Sequence, residues 1–113
     1  MPEPIVFTDL LQRAVHGPLD WQPFRTGVEI VIVYQVEGGA SAALLRYAPG
    51  AAVPEHEHAG YEHILVLSGT QVDARGEYRP GTLVVNPPGS RHAVASPSGC
   101  VVYAVWERSP VFL

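Results

Sequence analysis

Residues 50–69 read GAAVPEHEHAGYEHILVLSG, a stretch bounded by glycines that carries three candidate ligands, His56, His58 and Glu62. His56 and His58 are two positions apart, so on a strand, where side chains alternate, both point to the same face. Pro54 removes a ladder donor and restricts the residue before it, so we expect residues 51–58 to be extended. Glu62 opens the next apolar run, which predicts a second strand that ends near Gly69.

A fourth candidate ligand lies in the segment GTLVVNPPGSRHAVAS, residues 81–96, where His92 follows the turn residues Pro-Pro-Gly. Imidazole and carboxylate groups are the ligands that borderline divalent metals take from proteins. A β-structure that curls the two segments together would place four ligands around one ion. The sequence therefore predicts one divalent metal site formed by His56, His58, Glu62 and His92.

The rest of the chain has the composition of an all-β domain. Its 113 residues include eleven Gly and eleven Pro, with 47% hydrophobic and 16% charged residues, which favours one compact domain with many turns. Turn residues recur every eight to twelve positions, as in a sandwich or barrel. We expect a short helical stretch within residues 8–15, strands over residues 28–36, 41–47, 51–58, 62–68, 82–86, 92–95 and 100–107, and a short hairpin across residues 72–78. The first of these strands is so continuously apolar that it predicts a largely buried strand.

Charge and hydropathy argue against two classes of partner. The formal net charge is −4 without a cluster of Lys and Arg, so we expect no nucleic-acid binding. No apolar stretch approaches the roughly 20 residues that cross a bilayer, and the first residues do not resemble a signal peptide, so we expect a cytoplasmic protein without a membrane span. The single cysteine, Cys100, excludes an internal disulfide and opens an apolar run where it fits core packing.

The two segments resemble the paired motifs of the cupin superfamily. The first motif, G-x5-H-x-H-x3-E-x6-G, is met at every position from Gly50 to Gly69. The second, G-x5-P-x-G-x2-H-x3-N, is met from Gly81 to His92 and missed at its last position, where Ser96 replaces Asn. The resemblance implies a double-stranded β-helix, or jelly roll, with an ion inside the barrel.

The chain resembles the ChrR-type cupins more specifically, which form the C-terminal half of a group of anti-sigma factors. This resemblance rests on the segments WQPFRTGVEI (21–30), ALLRYAPG (43–50), YRPGT (78–82) and NPPGS (86–90). It implies zinc as the expected ion, whereas other cupins with three His and one Glu use manganese, iron or nickel. It predicts an N-terminal extension over residues 1–20 and a cupin barrel over residues 21–113. Those anti-sigma factors bind their sigma factor through a separate helical domain, so sigma-factor binding is not carried over to this sequence.

Three functions follow from such a site. The first is a metal-binding sensor or module for a small-molecule ligand, and the second is a small metal-dependent dioxygenase acting on a carbonyl or other anionic chelating substrate. In the third the ion only stabilises the barrel. No acid–base group accompanies the four ligands at a recognisable spacing, so catalytic residues stay unassigned. We also expect a homodimer, since short strands and high hydrophobic content favour covering a sheet face or edge with a second copy.

Several other side chains have expected positions but no assigned chemistry. By strand parity, His63 should face away from the ion. His16 should be exposed to solvent. Arg91 should leave the barrel and form a salt bridge. Aromatic side chains that could line a pocket mouth, but that more often pack in a core, are Tyr47, Tyr61, Tyr103 and Trp106.

Overall fold

The computed structural model describes residues 1–113 and contains eleven strands and one short helix. The helix, α1, spans Leu10–Val15. The strands are β1 (Gln22–Arg25), β2 (Val28–Gln35), β3 (Ser41–Tyr47), β4 (Ala51–Glu57), β5 (Glu62–Gly69), β6 (Gln71–Asp73), β7 (Gly76–Tyr78), β8 (Leu83–Asn86), β9 (Arg91–Ser96), β10 (Cys100–Trp106) and β11 (Val111–Phe112). No helix is long and apolar enough to span a membrane.

The strands form two antiparallel sheets. The first sheet has six strands in the order β1-β2-β3-β10-β5-β8, and the second has five in the order β11-β4-β9-β6-β7. Strands distant in sequence are neighbours, such as β3 with β10 and β4 with β9, so the chain crosses repeatedly between the sheets. This is the double-sheet arrangement of a jelly roll. The predicted all-β jelly-roll class is confirmed.

The main hydrophobic core lies between the two sheets. It is a cluster of eleven buried residues from both sheets, in which Val102 is fully buried and Val66 is 1% exposed. Cys100 belongs to this cluster at 4% exposed, which confirms the prediction that it packs in the core. Burial raises the pKa of its thiol, with a smaller opposing effect of Ser96. The thiol is therefore held in its neutral form at physiological pH.

A smaller cluster, which we call the outer-face cluster, lies on the outer face of the six-stranded sheet. Ala14 of α1 packs with Leu44 of β3 and Val101 of β10, and Leu10 and Trp21 pack at its edge. The N-terminal residues thereby cover part of an apolar sheet face that would otherwise meet water. The division of the chain at residue 20 and the expected homodimer stay predictions.

The predicted burial of the strand at residues 28–36 is wrong. Within β2 only Val28 is buried, while Ile32 is 51% exposed and Tyr34 is 39% exposed. The strand lies next to the sheet edge formed by β1, and its register with β3 shifts between Ile32 and Tyr34. Its far end therefore extends past the packed core, so apolar composition alone overestimated its burial.

Two short edge strands, β1 and β11, were not predicted from the sequence. β1 has only four residues and contains Pro23, which is tolerated at an edge because no neighbour requires its missing N–H. β11 has two residues, too few for a period-two pattern. Each strand carries a side chain of the Arg25–Phe112 contact at one end of the barrel.

One motif glycine is required by a close backbone approach. Gly69 has φ +70, and a Cβ on this residue would overlap the carbonyl oxygen of Gly99. The next residue after Gly99, Cys100, pairs with Gly69 across β5 and β10. A side chain at position 69 would therefore push β10 away from β5 and disrupt the pairing of these two strands.

Candidate metal centre

The fold brings the four predicted ligand residues together inside the barrel. One candidate ligand atom from each lies within 4.8 Å of those of the others, and the residues are 2–6% exposed. We refer to them as the His–Glu cluster: His56, His58, Glu62 and His92. They come from both sheets, because β4 and β9 belong to the second sheet and β5 to the first. The cluster therefore lies where the two sheets face each other.

Local pairing explains the placement of the three histidines. His56 and His92 are direct register partners on β4 and β9, so their side chains share the inner face. A register shift between Val53 and His56 re-aims the end of β4. His58 lies just beyond β4 and is held by two backbone hydrogen bonds, from its own N–H to Ser90 O and from Gly89 N–H to its carbonyl.

Each histidine has its Nδ1 fixed by a hydrogen-bond acceptor. His56 Nδ1 lies 2.9 Å from the carbonyl oxygen of Pro54, and His92 Nδ1 lies 3.1 Å from Asp73 Oδ2. Neither acceptor can donate, so the proton must sit on Nδ1 in both rings.

The third ring is fixed through Ser90. His58 Nδ1 lies 2.8 Å from Ser90 Oγ, while the Ser90 hydroxyl donates to Pro87 O at 2.6 Å. Because that hydroxyl proton is already committed, Ser90 accepts from His58 Nδ1–H. All three imidazoles therefore present Nε2 with its lone pair, which is the form that binds a metal.

The carboxylate of Glu62 is held by a donor at each oxygen. Asn86 Nδ2 donates to Oε1 at 2.9 Å, and Trp106 Nε1 donates to Oε2 at 2.6 Å. Oε1 also lies 3.0 Å from His58 Nε2 and 3.7 Å from His92 Nε2. Oε1 is thus the oxygen that faces the imidazoles, and Oε2 is occupied by the indole.

The cluster has the unsatisfied atoms that a bound cation would satisfy. Nε2 of His58 and Nε2 of His92 are buried without a hydrogen-bond partner, although each lies near Glu62 Oε1. A buried polar atom without a partner costs about 1–3 kcal/mol, so a ligand that contacts both nitrogens would stabilise the cluster. Three imidazole nitrogens and one carboxylate oxygen form a donor set that suits Zn²⁺ and several neighbouring ions. The residues present therefore fit a divalent metal ion.

The separations between donors accommodate more than one coordination geometry. Donors about 2.1 Å from an ion lie about 3.4 Å apart at tetrahedral angles and about 3.0 Å apart at right angles. The distances from Glu62 Oε1 to the two imidazole nitrogens, 3.0 and 3.7 Å, lie on both sides of the tetrahedral value. The cluster can hold a four-coordinate ion or four positions of a six-coordinate one.

Burial and neighbouring groups shift the pKa values of His56 and Glu62 toward the protonation states that bind a metal. Burial lowers the pKa of His56, against an opposing hydrogen bond to Pro54. For Glu62, burial acts to raise the pKa, but His58 and the Trp106 N–H act in the opposite direction and lower it overall. For Asp73, burial likewise acts to raise the pKa, whereas bonds from His92, Arg75 N–H and Tyr78 lower it overall.

A small cavity adjoins the cluster, which we call the inner cavity. Its volume is about 40 Å³, and its walls include His56, Glu62, His92, Tyr47 and Trp106. Of the four aromatic residues considered from the sequence, Tyr47 and Trp106 thus line the interior. Tyr61 is 49% exposed and Tyr103 packs with the outer-face cluster, so neither reaches the inner cavity.

The other sequence expectations about individual side chains are confirmed. His63 and His16 are exposed. Arg91 forms a salt bridge with Glu57 at 3.0 Å, outside the barrel.

Sequence reasoning missed the residues that hold the cluster in place. Asn86 and Ser90 lay within the quoted NPPGS segment, which was a usable signal, whereas Asp73 had none because its contact with His92 depends on the pairing of β6 with β9.

Solved structures share this architecture along most or all of the chain. A RmlC-like cupin from Ralstonia eutropha JMP134 matches with a TM-score of 0.75 at 18% identity, over 82% of this chain and 66% of that one. A structure of Rhodobacter sphaeroides SigE in complex with the anti-sigma ChrR matches with a TM-score of 0.72 at 27% identity, over 86% of this chain and 55% of that one. An acetylacetone dioxygenase from Acinetobacter johnsonii matches with a TM-score of 0.80 at 15% identity, over 100% of this chain and 78% of that one.

The chain thus spans less than two thirds of the matched Ralstonia and Rhodobacter chains. No curated protein sequence matches it significantly. The model of the ChrR cupin-like domain family matches residues 14–109, which is most of the chain and includes the whole His–Glu cluster. The protein therefore belongs to the ChrR cupin-like domain family of cupins.

Proposed function

We propose that the protein binds one divalent metal ion through Nε2 of His56, His58 and His92 and Oε1 of Glu62, and acts as a sensor or binding module for a small ligand. The observation that carries this proposal is the convergence of three imidazoles whose Nδ1 protons are committed elsewhere. Zinc is the ion we expect, because the family resemblance favours it and four single-atom donors suit it. Manganese, iron and nickel are the alternatives.

When bound, the ion would supply a positive centre that attracts an anionic oxygen, since two positive charges exceed the single negative charge of Glu62. The surrounding residues position the donors. Asp73, Ser90 and the Pro54 carbonyl hold the three imidazole rings, and Trp106 holds Glu62 so that only Oε1 faces them. Such outer contacts orient ligands and strengthen metal binding.

The walls of the inner cavity favour a binding module over an acid–base enzyme. Apart from the cluster, its only titratable lining residue is Tyr47. Burial, followed by the neighbouring Cys100 and Glu62, raises the pKa of Tyr47 strongly, so its hydroxyl stays protonated and cannot serve as a base near neutral pH. A volume of about 40 Å³ holds little more than a water molecule. A larger ligand requires the cavity to open.

The second candidate function is a metal-dependent dioxygenase for a small chelating carbonyl compound. Two observations favour it: the fold likeness to the Acinetobacter acetylacetone dioxygenase extends over the whole chain, and Glu62 offers a single oxygen, which leaves further coordination positions on a six-coordinate ion. Oxygen uptake by the iron(II)-loaded protein with acetylacetone tests it. Uptake that depends on both iron and acetylacetone would replace the sensor proposal with the enzyme.

Metal analysis of the purified protein tests the metal proposal. We expect one divalent ion per chain, retained through gel filtration, and its loss in His58→Ala. His63→Ala is the matched control, because His63 is exposed and only one position away from Glu62. A protein that retains no ion after equilibration with zinc, manganese, iron or nickel would contradict the proposal, and so would equal metal loss in the two variants.

A further inference from the structure

Phe112 closes one end of the barrel by contacting groups from both sheets. Its ring centroid lies 5.3 Å from that of His56, its register partner on β4. The guanidinium carbon of Arg25, on β1, lies 4.3 Å from the centroid of the Phe112 ring. β1 and β11 are edge strands of different sheets. The contact between Arg25 and Phe112 therefore bridges the two sheets next to a cluster histidine.

Arg25 has an unsatisfied guanidinium nitrogen at this place. Its Nη1 is buried and has no hydrogen-bond partner. The cation–π contact with the Phe112 ring is favourable, but it provides no acceptor for the N–H. The other arginine that stacks on an aromatic ring differs. Arg46 lies 4.5 Å from the Trp21 ring centre and also donates two hydrogen bonds to Glu29 Oε1, at 2.7 and 3.0 Å.

Phe112 also lines two neighbouring cavities. Outside the inner cavity lies an outer cavity of about 470 Å³, and both are lined by Phe24, Trp106, Pro110 and Phe112. The outer volume lies within the range of small-molecule sites, about 300–1,000 Å³. Its walls are mainly apolar, with Pro23, Ile30 and Ile32, and it contains no charged side chain. It suits an apolar body about the size of a substituted ring.

The strand that carries Phe112 has few attachments. β11 has two register pairs with β4, and the bond from Leu113 N–H to Glu55 O is long, at 3.4 Å. The Phe112 residue is 44% exposed. Moving this side chain would join the two cavities and uncover the Arg25 guanidinium beside the cluster. Few backbone hydrogen bonds oppose that movement.

We propose that Arg25 is the anion-recognising residue of a ligand site that opens when Phe112 moves aside, and that its ligand is a small carboxylate, or a similar planar anion, with an apolar body. The planar fork of arginine matches the two oxygens of a carboxylate, and the outer cavity receives the apolar part. The proposal rests in part on the proposed metal site, because the bound ion would be the second positive group that attracts the anion. The recognition by Arg25 is a separate contact that can be measured with and without metal.

The test is calorimetric titration with benzoate, and with benzamide as the neutral analogue of the same shape. Metal content is measured first, and each titration is repeated on chelator-stripped protein. We expect benzoate to bind, benzamide to bind at least tenfold more weakly, and Arg25→Gln to weaken benzoate binding at least tenfold in either state. Arg25→Lys should fall between, because it keeps the charge and loses the fork. Arg46→Gln is the matched control and should leave binding unchanged.

A second readout follows Phe112 itself. Phe112→Ala should tighten benzoate binding severalfold and speed metal release to a chelator at least fivefold, whereas Val111→Ala, on the opposite face of β11, should change neither. Benzoate binding that is absent in folded wild-type protein, or that is equal in Arg25→Gln and Arg46→Gln, would overturn the proposal. If the protein failed to load metal, the proposed metal site would be overturned. The role of Arg25 would still be decided by whether benzoate binding to the stripped protein is weakened in Arg25→Gln.

Discussion

Replacing Trp106 with phenylalanine should weaken metal binding by removing one defined hydrogen bond. Trp106 Nε1 donates to Glu62 Oε2 at 2.6 Å inside the barrel. Phe keeps an aromatic ring in the core but has no N–H. The freed Oε2 would lose a charged hydrogen bond worth about 1.5–3 kcal/mol, and the pKa of Glu62 would rise because that bond helps to lower it.

The expected size of the effect follows from this role. Loss of a contact that orients a metal ligand typically costs about 10–100-fold in affinity, which corresponds to about 1.4–2.8 kcal/mol. Competition with a chromophoric chelator at neutral pH measures it. With cobalt as the ion, the visible spectrum should also change toward higher coordination number, since Oε2 becomes free to bind beside Oε1.

The chain offers a matched control in its only other tryptophan, Trp21. Its Nε1 is buried without a hydrogen-bond partner, and the residue packs on the outer-face cluster. Trp21→Phe therefore removes the same atoms without removing a hydrogen bond to the cluster. The reasoning is refuted if Trp106→Phe binds metal within threefold of wild type, or if Trp21→Phe weakens binding equally. Urea unfolding of the metal-free variants separates lost stability from lost affinity.

Three further perturbations have directions that the structure determines. Asp73→Asn should weaken metal binding about tenfold, measured by the same competition, because a neutral amide holds the His92 imidazole less strongly. Leu44→Ala should lower the free energy of unfolding by about 2–5 kcal/mol, whereas the 57% exposed Leu83→Ala should cost little. Burial raises the pKa values of Tyr47 and Cys100. The unfolded chain therefore releases these protons first, so stability should be intact below about pH 8.5 and fall above it, as melting temperatures from pH 7 to 10.5 would show.

Sequence patterns located the cluster because three of its four ligands lie within residues 56–62. The alternation of His56 and His58 on one strand and the start of β5 at Glu62 follow from period and turn residues. The contact between His56 and His92 requires only that their two segments pair in register. These relations leave a recognisable spacing. Asp73 leaves none, since it reaches His92 through a strand pairing of a single residue pair.

The exposed end of the barrel was harder to predict for a physical reason. Apolar composition tells which residues prefer burial, but it does not tell where a sheet extends past its partner, as β2 does at Ile32. Phe112 belongs to a two-residue strand whose position is determined by its pairing with β4. Arg25, which contacts that ring, has a buried guanidinium nitrogen without a hydrogen-bond partner. Such features depend on contacts between distant segments, which no local pattern encodes.

The position of the cluster between the sheets also determines which measurement separates the three functions. Donors from β4, β5 and β9 belong to different sheets, so a bound ion links them and stabilises the folded state by mass action, by about 4.1 kcal/mol at a thousandfold excess over its Kd. Chelation should therefore lower the melting temperature whether the ion is structural, sensory or catalytic. Phe112 packs on His56, so even ligand entry should affect stability. Binding of an anion that depends on Arg25 is expected only if the barrel opens to a ligand, and that dependence separates a binding module from a merely stabilised fold.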